Sequence, residues 1–509
     1  MDRTEHVVKN LKFATVSELM LAVLKFVSRR VFVLLLGKEY LGISGLFTDI
    51  LSMLSLAELG FGISITYSLY RPAAVGDTEL IKSLMALYRR AYHGIALIVL
   101  AAGLSLTPFL DFFVKEMPEE IPQLSLIYAL NVLNASVSYI FAYKSTLLFV
   151  HQKKYIDTLI RTTVTASATV AQIGILLLTG NYVFYLFIAI GATLVQNTIL
   201  SVKADGLYPY LRDQKVQPLP AEILGDIRRN VSAMILHRVG AVAVFSTDNI
   251  LISKFAGIAV TGLYSNYTMI RGFLNVMINA LFNAIAPALG NLNATESLEN
   301  KRTAFCRLNF FSAWLFGWIS ICLLWLYDPF ICIWLNEDYL LPRPVVILIV
   351  VNFYLNSMRI PVANIKSTMG LFWDERYKSI LEPPFNLIIS VILAQRWGIS
   401  GILSGTLISM AALPFWIEPL GLYRHGLKQS VSGYFLRYLK HLLVTAAAAG
   451  LTGLACLTAG KGVPGFLQKC LFCLLIPNGV YLILYRRTCE FRFLREKAVR
   501  MMKKTFRQN

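Results

Sequence analysis

VLLLGKEYLGISGLF at 33–47 returns as ILISKFAGIAVTGLY at 250–264. Both copies keep the apolar pattern, a glycine (Gly45, Gly262), a leucine and a closing aromatic residue. Each copy ends one apolar stretch, turns tightly and starts another, and the turn recurs as WGISGIL at 397–403. Both follow an odd-numbered apolar stretch, so the repeats share one orientation. Parallel repeats related by an axis along the membrane normal are one way to build a transporter with two halves.

The rest of the chain fits that reading. Of 509 residues, 56% are hydrophobic and only 15% charged, with mean hydropathy +0.60, far from the profile of a soluble globular protein. Apolar runs of about 20 residues, the length that crosses roughly 30 Å of hydrocarbon as helix, recur from end to end. The spans predicted lie near 13–36, 43–70, 86–114, 123–150, 158–179, 181–202, 231–253, 258–289, 304–327, 343–370, 378–395, 399–423, 433–459 and 463–485. The expected fold class is therefore all-α integral membrane, with about fourteen transmembrane helices. Two pseudo-symmetric six-helix lobes, 1–215 and 216–430, are expected around a central cavity. Two additional helices and a basic tail follow at 431–509. The polar segment 203–229, with Gln217-Pro218-Leu219-Pro220, is expected to join the lobes. No short apolar run with a small-residue cleavage site opens the sequence, so the first span itself is expected to direct insertion.

A formal net charge of +19 raises the question of nucleic acid, but its distribution points to a membrane instead. With the N-terminus inside, the inner loops carry Arg71, Lys82, Arg89, Arg90, Lys153, Lys154, Arg228, Arg229, Lys301 and Arg302, among others. The outer loops offer only Lys38, Lys115, Lys254, Arg343, Arg396, Lys461 and Lys469. This is the bias of the positive-inside rule, and it predicts both termini in the cytoplasm, with no nucleic-acid partner. The basic tail after Tyr485, with Phe491, Leu494, Met501 and Phe506 interleaved, reads as an interfacial helix on anionic lipid.

Seven cations fall inside apolar stretches: Lys25, Arg29, Arg30, Lys144, Arg238, Arg271 and Arg359. A charge in hydrocarbon costs about 3 kcal/mol on insertion scales, so such residues usually face a bundle interior or a wet cavity. A positive cavity attracts an anion, and in a bilayer the available anions are lipid-linked phosphates and carboxylates. Glu18, Lys25 and Arg29 are spaced by seven and four residues, on one helical face. They could equally form an internal salt bridge, but Arg30 adds a cation that Glu18 alone does not balance. Arg271 and Arg359 are the deepest, each about 20 Å from the start of its span at 1.5 Å per residue. Arg359 precedes Pro361, which frees a backbone carbonyl and favours a kink. Lys144 and Arg238 lie nearer the inner ends of their spans, where snorkelling competes with substrate contact. The acids inside spans are Asp49, Glu58, Asp248, Glu382 and Glu418. Asp248 and then Glu58 are the candidates for ion coupling, with charge balance of an arginine as the alternative.

No nucleotide-binding glycine loop, paired acids in a soluble loop or Ser-His-Asp arrangement occurs, so no enzyme activity and no cofactor are expected. Cys470 and Cys473 form a C-x-x-C on an apolar helix, where packing is the expected role, and the six histidines lack metal-ligand spacing.

LGISGLFTDILSMLSLAELGFGISITYSLYRP at 41–72, FAYKSTLLFVHQKKYI at 141–156, STDNILISKF with GLYSNYTMI within 246–270, and NLIISVILAQRWGISGILSGTLIS at 386–409 together resemble bacterial polysaccharide repeat-unit flippases. These are the Wzx-type translocases for O-antigen and capsule in the MOP superfamily, and the resemblance runs over nearly the whole chain. It implies the MATE-like fold and a substrate built as an oligosaccharide on undecaprenyl diphosphate. The diphosphate would then sit against cavity cations, among them Arg29, Arg30 and Arg271, which match by span and depth the functional arginines of related lipid II flippases. A glycan polymerase or export complex is the partner the resemblance implies. A MATE-type antiporter of small cations stays open on the same fold, although a cavity richer in Arg and Lys than in acids repels such cargo. A lipid II flippase stays open too. A membrane-embedded glycan polymerase or ligase would need a large outer loop, and the longest here is around 328–342.

Overall fold

The structure, a computed structural model, describes residues 3–58, 61–114, 121–213, 216–229, 231, 247–371 and 376–497. Helices account for nearly all of them, and no strand occurs among the described residues. Among the described residues, ten helical stretches are long and apolar enough to cross a membrane. Every expected span except 231–253, most of which lies outside the described residues, falls on a helix. The chain is an all-α, multi-pass membrane protein.

Contacts divide the chain into two compact units, Met1–Ser265 and Asn266–Asn509. Unit 1 holds α1 (Arg3–Leu54), α2 (Phe61–Val75), α3 (Thr78–Ser105), α4 (Leu124–Val150), α5 (Lys154–Thr179), α6 (Tyr182–Leu207) and α7 (Thr247–Phe255). The unit boundary falls within α8 (Ile258–Thr295). Unit 2 continues with α9 (Leu298–Trp334), α10 (Arg343–Met369), α11 (Arg376–Ala412), α12 (Pro414–Gly421), α13 (Ser432–Cys456) and α14 (Gly462–Tyr485).

The repeated turns share one backbone device. Gly37 (φ 86°), Gly257 (φ 96°) and Gly398 (φ 52°) all take the left-handed conformation that glycine adopts without penalty, and each bends the chain between two helical arms. In space, Gly262 of the second copy meets Gly42 of the first. A Cβ on Gly42 would fall 2.0 Å from the Ile258 carbonyl oxygen, and one on Gly262 would fall 2.1 Å from that of Lys38. The second arm of α1 and the start of α8 therefore cross backbone against backbone inside unit 1.

Polar side chains set several helix starts. Asp77 accepts from the Leu80 N–H at 3.0 Å, Asn181 from Val183 at 2.8 Å and Ser297 from Asn300 at 3.4 Å. In unit 1, α1 lies along α5, and α4 packs on α3 and α6. The core joins Tyr88, Tyr92, Leu84, Leu147 and Leu200. In unit 2, α9 packs on α10, α13 and α14. The Trp314 and Tyr481 rings stack there at 5.9 Å, and Phe491 of the tail is buried beside them. The tail helix thus turns Phe491 into unit 2 and leaves Arg492, Arg495 and Lys497 exposed, while residues 498–509 lie outside the described residues.

Candidate functional site

Unit 1 carries most of the expected cations. On the first arm of α1, Glu18, Lys25 and Arg30 are exposed, whereas Arg29 is drawn inward. Arg29 Nη1 donates to Ser265 Oγ at 3.2 Å, and the Tyr182 and Tyr185 rings of α6 stand beside it. Phe32, nearly one turn on, packs edge-on against the same two rings at 5.3 and 5.7 Å. The stripe read as Glu18–Lys25–Arg29 therefore divides. Its outer member is held by aromatic and hydroxyl neighbours, and Lys25 instead shares exposure with Arg30. No ion pair to Lys25 or Arg30 occurs among the described residues.

Lys144 has firm partners. Its Nζ donates to both carboxylate oxygens of Asp205 at 2.8 and 2.7 Å and to Ser201 Oγ at 2.8 Å. Asp205 lies just past the predicted inner end of its span, among loop residues, so nothing in the sequence singled it out as the counter-charge. Glu58 accepts a hydrogen bond from Tyr92, and Tyr139 also reaches it. Tyr88 donates to Tyr92 at 3.2 Å, and Thr146 to Tyr88 at 3.3 Å, so a line of hydroxyls runs from Thr146 to the Glu58 carboxylate. Such a line could hold and pass a proton. Asp248, in the first turn of α7, stands beside Asp49 of α1, whose carboxylate is bonded by the Asn249 side chain. Among the described residues no group of three or more His, Cys, Asp and Glu could hold a metal. Arg238 lies outside the described residues.

Unit 2 holds the two deepest arginines. Arg271 is half-buried on α8 and engaged by neighbouring groups. Arg359 sits at the centre of a charge network. Its Nη2 donates to Glu418 Oε1 at 2.7 Å, its Nε reaches both Glu418 oxygens at 3.2 and 3.1 Å, and its Nη1 lies 3.4 Å from Glu382. Lys378 donates to the same Glu418. Two cations and two carboxylates thus gather from α10, α11 and α12, each helix interrupted by proline at Pro361, Pro383-Pro384 and Pro419. Among the described residues the charges of these four groups balance, so Arg359 has structural partners. Both glutamates were visible in the sequence as acids inside spans. Their convergence on Arg359 was not, because they stand 23 and 59 residues away along the chain.

The fold is like that of several solved structures. Over 94% of this chain and 99% of the other, it matches a structure described as lipid II flippase MurJ in an inward closed conformation, with TM-score 0.65 at 14% identity. It matches an inward-facing multidrug resistance MATE family transporter with TM-score 0.61 at 16% identity, over 80% of this chain and 96% of that one. A third likeness is to a MOP superfamily transporter from Pyrococcus furiosus described as having a binding pocket of reverse polarity. It has TM-score 0.53 at 18% identity and covers 84% of this chain and 95% of that one. No family model matches the sequence, and no curated protein matches it.

Proposed function

We propose that this protein is a flippase that moves an oligosaccharide linked to undecaprenyl diphosphate across the bacterial cytoplasmic membrane by alternating access, for cell-surface polysaccharide synthesis. The observation that carries the reading is the exposure of Lys25 and Arg30 on an apolar stretch. Two cations held at membrane depth without a paired acid are costly unless an anion meets them. A diphosphate suits them, since it carries charge on several oxygens and accepts from both ammonium and guanidinium donors. The fold supports transport, and the excess of cations over acids on α1 favours an anionic head group over cationic cargo. In this reading Lys25 and Arg30 receive the diphosphate.

The test uses purified full-length protein in vesicles with a fluorescent glycan on undecaprenyl diphosphate. Wild-type vesicles should expose the glycan on both faces, and Lys25→Gln with Arg30→Gln should slow this by at least tenfold at equal protein level. Equal flipping by the double variant, or none by wild type alongside uptake of a cationic dye, would overturn the reading.

A further inference from the structure

The two faces of α2 differ in kind. Ile65, Leu69 and Pro72 are buried in the unit 1 core, while Ile63, Tyr67 and Tyr70 are 45%, 72% and 46% exposed on the other side. Elsewhere in unit 1 large aliphatic and phenyl side chains are exposed, as with Val170, Leu177 and Leu178 on α5 or Phe184, Val195 and Val202 on α6. Such side chains suit hydrocarbon. The face of α2 adds hydroxyls and a charge to its rings, from Thr66, Ser68 and Arg71.

Two open cavities flank this face, and both are lined by Ile63, Tyr67 and Tyr70. One, of about 1180 Å³, adds Ser64, Ser68, Arg71, Asp77 and Asp226. The other, of about 490 Å³, adds Thr66, Ser145, Thr146, Phe149 and Lys154. Both are large enough for a ligand of several rings. In the smaller, the Phe149 ring lies 6.5 Å from that of Tyr70, and Lys154 Nζ stands 5.5 Å over Phe149. Rings are therefore surrounded by short hydroxyl, ammonium, guanidinium and carboxylate groups. A pyranose asks for this combination. Its C–H face is weakly positive and lies against the negative face of an aromatic ring, while its rim of hydroxyls donates and accepts in the ring plane. The Thr66, Ser68, Ser145 and Thr146 hydroxyls donate within the protein and present their oxygens as acceptors to a sugar hydroxyl.

We propose that Tyr67 and Tyr70 form a stacking platform for the sugar rings of the lipid-linked substrate, with Ser68, Arg71 and Thr146 reading the hydroxyl rim. The proposal rests on the flippase reading and adds a place for the glycan. Charge bias puts this end of α2, near Arg71, on the cytoplasmic side, where a newly made substrate would load.

The experiment compares two probes on purified full-length protein in nanodiscs: undecaprenyl diphosphate bearing one N-acetylglucosamine, and bare undecaprenyl diphosphate. Wild type should prefer the sugar-bearing lipid. Tyr67→Leu with Tyr70→Leu, which keeps apolar bulk and removes the ring faces, should cut that preference by about tenfold. Tyr67→Phe with Tyr70→Phe should keep most of it. A preference unchanged in the leucine variant would overturn the platform. So would an equal loss for both lipids, which marks the tyrosines as an interfacial belt. Binding of neither lipid by wild type would instead sink the flippase reading itself.

Discussion

Gly42 and Gly262 lie against each other so closely that neither has room for a methyl group, and each would drive a Cβ into a main-chain carbonyl of the opposite helix. Small residues let helix backbones approach in a membrane, where packing replaces the hydrophobic drive. The crossing ties the second arm of α1 to the start of α8 and carries Ser265 to Arg29.

Gly42→Ala and Gly262→Ala should each destabilise the protein by about 1–3 kcal/mol, the usual cost of overpacking a site that cannot shift. Gly94→Ala, with nothing within 4 Å of its added Cβ, is the control. Thermal unfolding in detergent checks this. Equal melting of Gly42→Ala and Gly94→Ala would show that the crossing has slack.

Removing one member of the network in unit 2 should leave buried charge uncompensated. Arg359→Ala should cost about 3–5 kcal/mol, and adding Glu418→Gln should recover part of it. Export should follow folded protein level in both variants. Loss of export by Arg359→Ala at wild-type melting temperature would give that arginine a direct part in handling the anion.

Tyr92→Phe should leave Glu58 short of a donor and lower stability by about 1–3 kcal/mol. If Glu58 exchanges a proton during the cycle, Glu58→Gln should also abolish acceleration of flipping by an inward proton gradient. Unchanged acceleration in Glu58→Gln would leave the line of hydroxyls a structural feature and move ion coupling to Asp248.

Topology follows from the loop charges. With the seven native cysteines replaced, Glu337→Cys should label from outside with an impermeant maleimide, and Glu222→Cys only after permeabilisation. Outside labelling at position 222 would reverse the orientation drawn from the positive-inside rule.

Transport of a diphosphate outward carries negative charge, and an inside-negative potential assists it by about 2.3 kcal/mol per charge per 100 mV. Flipping in vesicles clamped with valinomycin should therefore quicken when the potential is applied without pH or sodium gradients. A rate identical at zero and at about 100 mV would leave an ion gradient or capture of the flipped product as the drive.

Much of the protein is written in its sequence, because membrane insertion is a local test. A stretch of some 20 apolar residues must become helix, since hydrocarbon offers backbone groups no other partner. For the same reason the turns at Gly37, Gly257 and Gly398 were legible, and so were the cations that hydrocarbon would reject. Their partners were not. Lys144 finds Asp205 from 61 residues away, Arg359 finds Glu418 from 59, and Arg29 finds Ser265 from 236. Sequence spacing fixes which side chains share a helix face; which faces meet depends on how helices cross. Here that is set by contacts such as Gly42 on Gly262 and by the left-handed turns that aim each arm. Only the tertiary structure therefore separated the cations that hold helices together, Lys144 and Arg359, from those left exposed on α1, Lys25 and Arg30. Only it showed that the outer face of α2 is lined with tyrosines, because burial on one side of a helix is decided by neighbours distant in the chain.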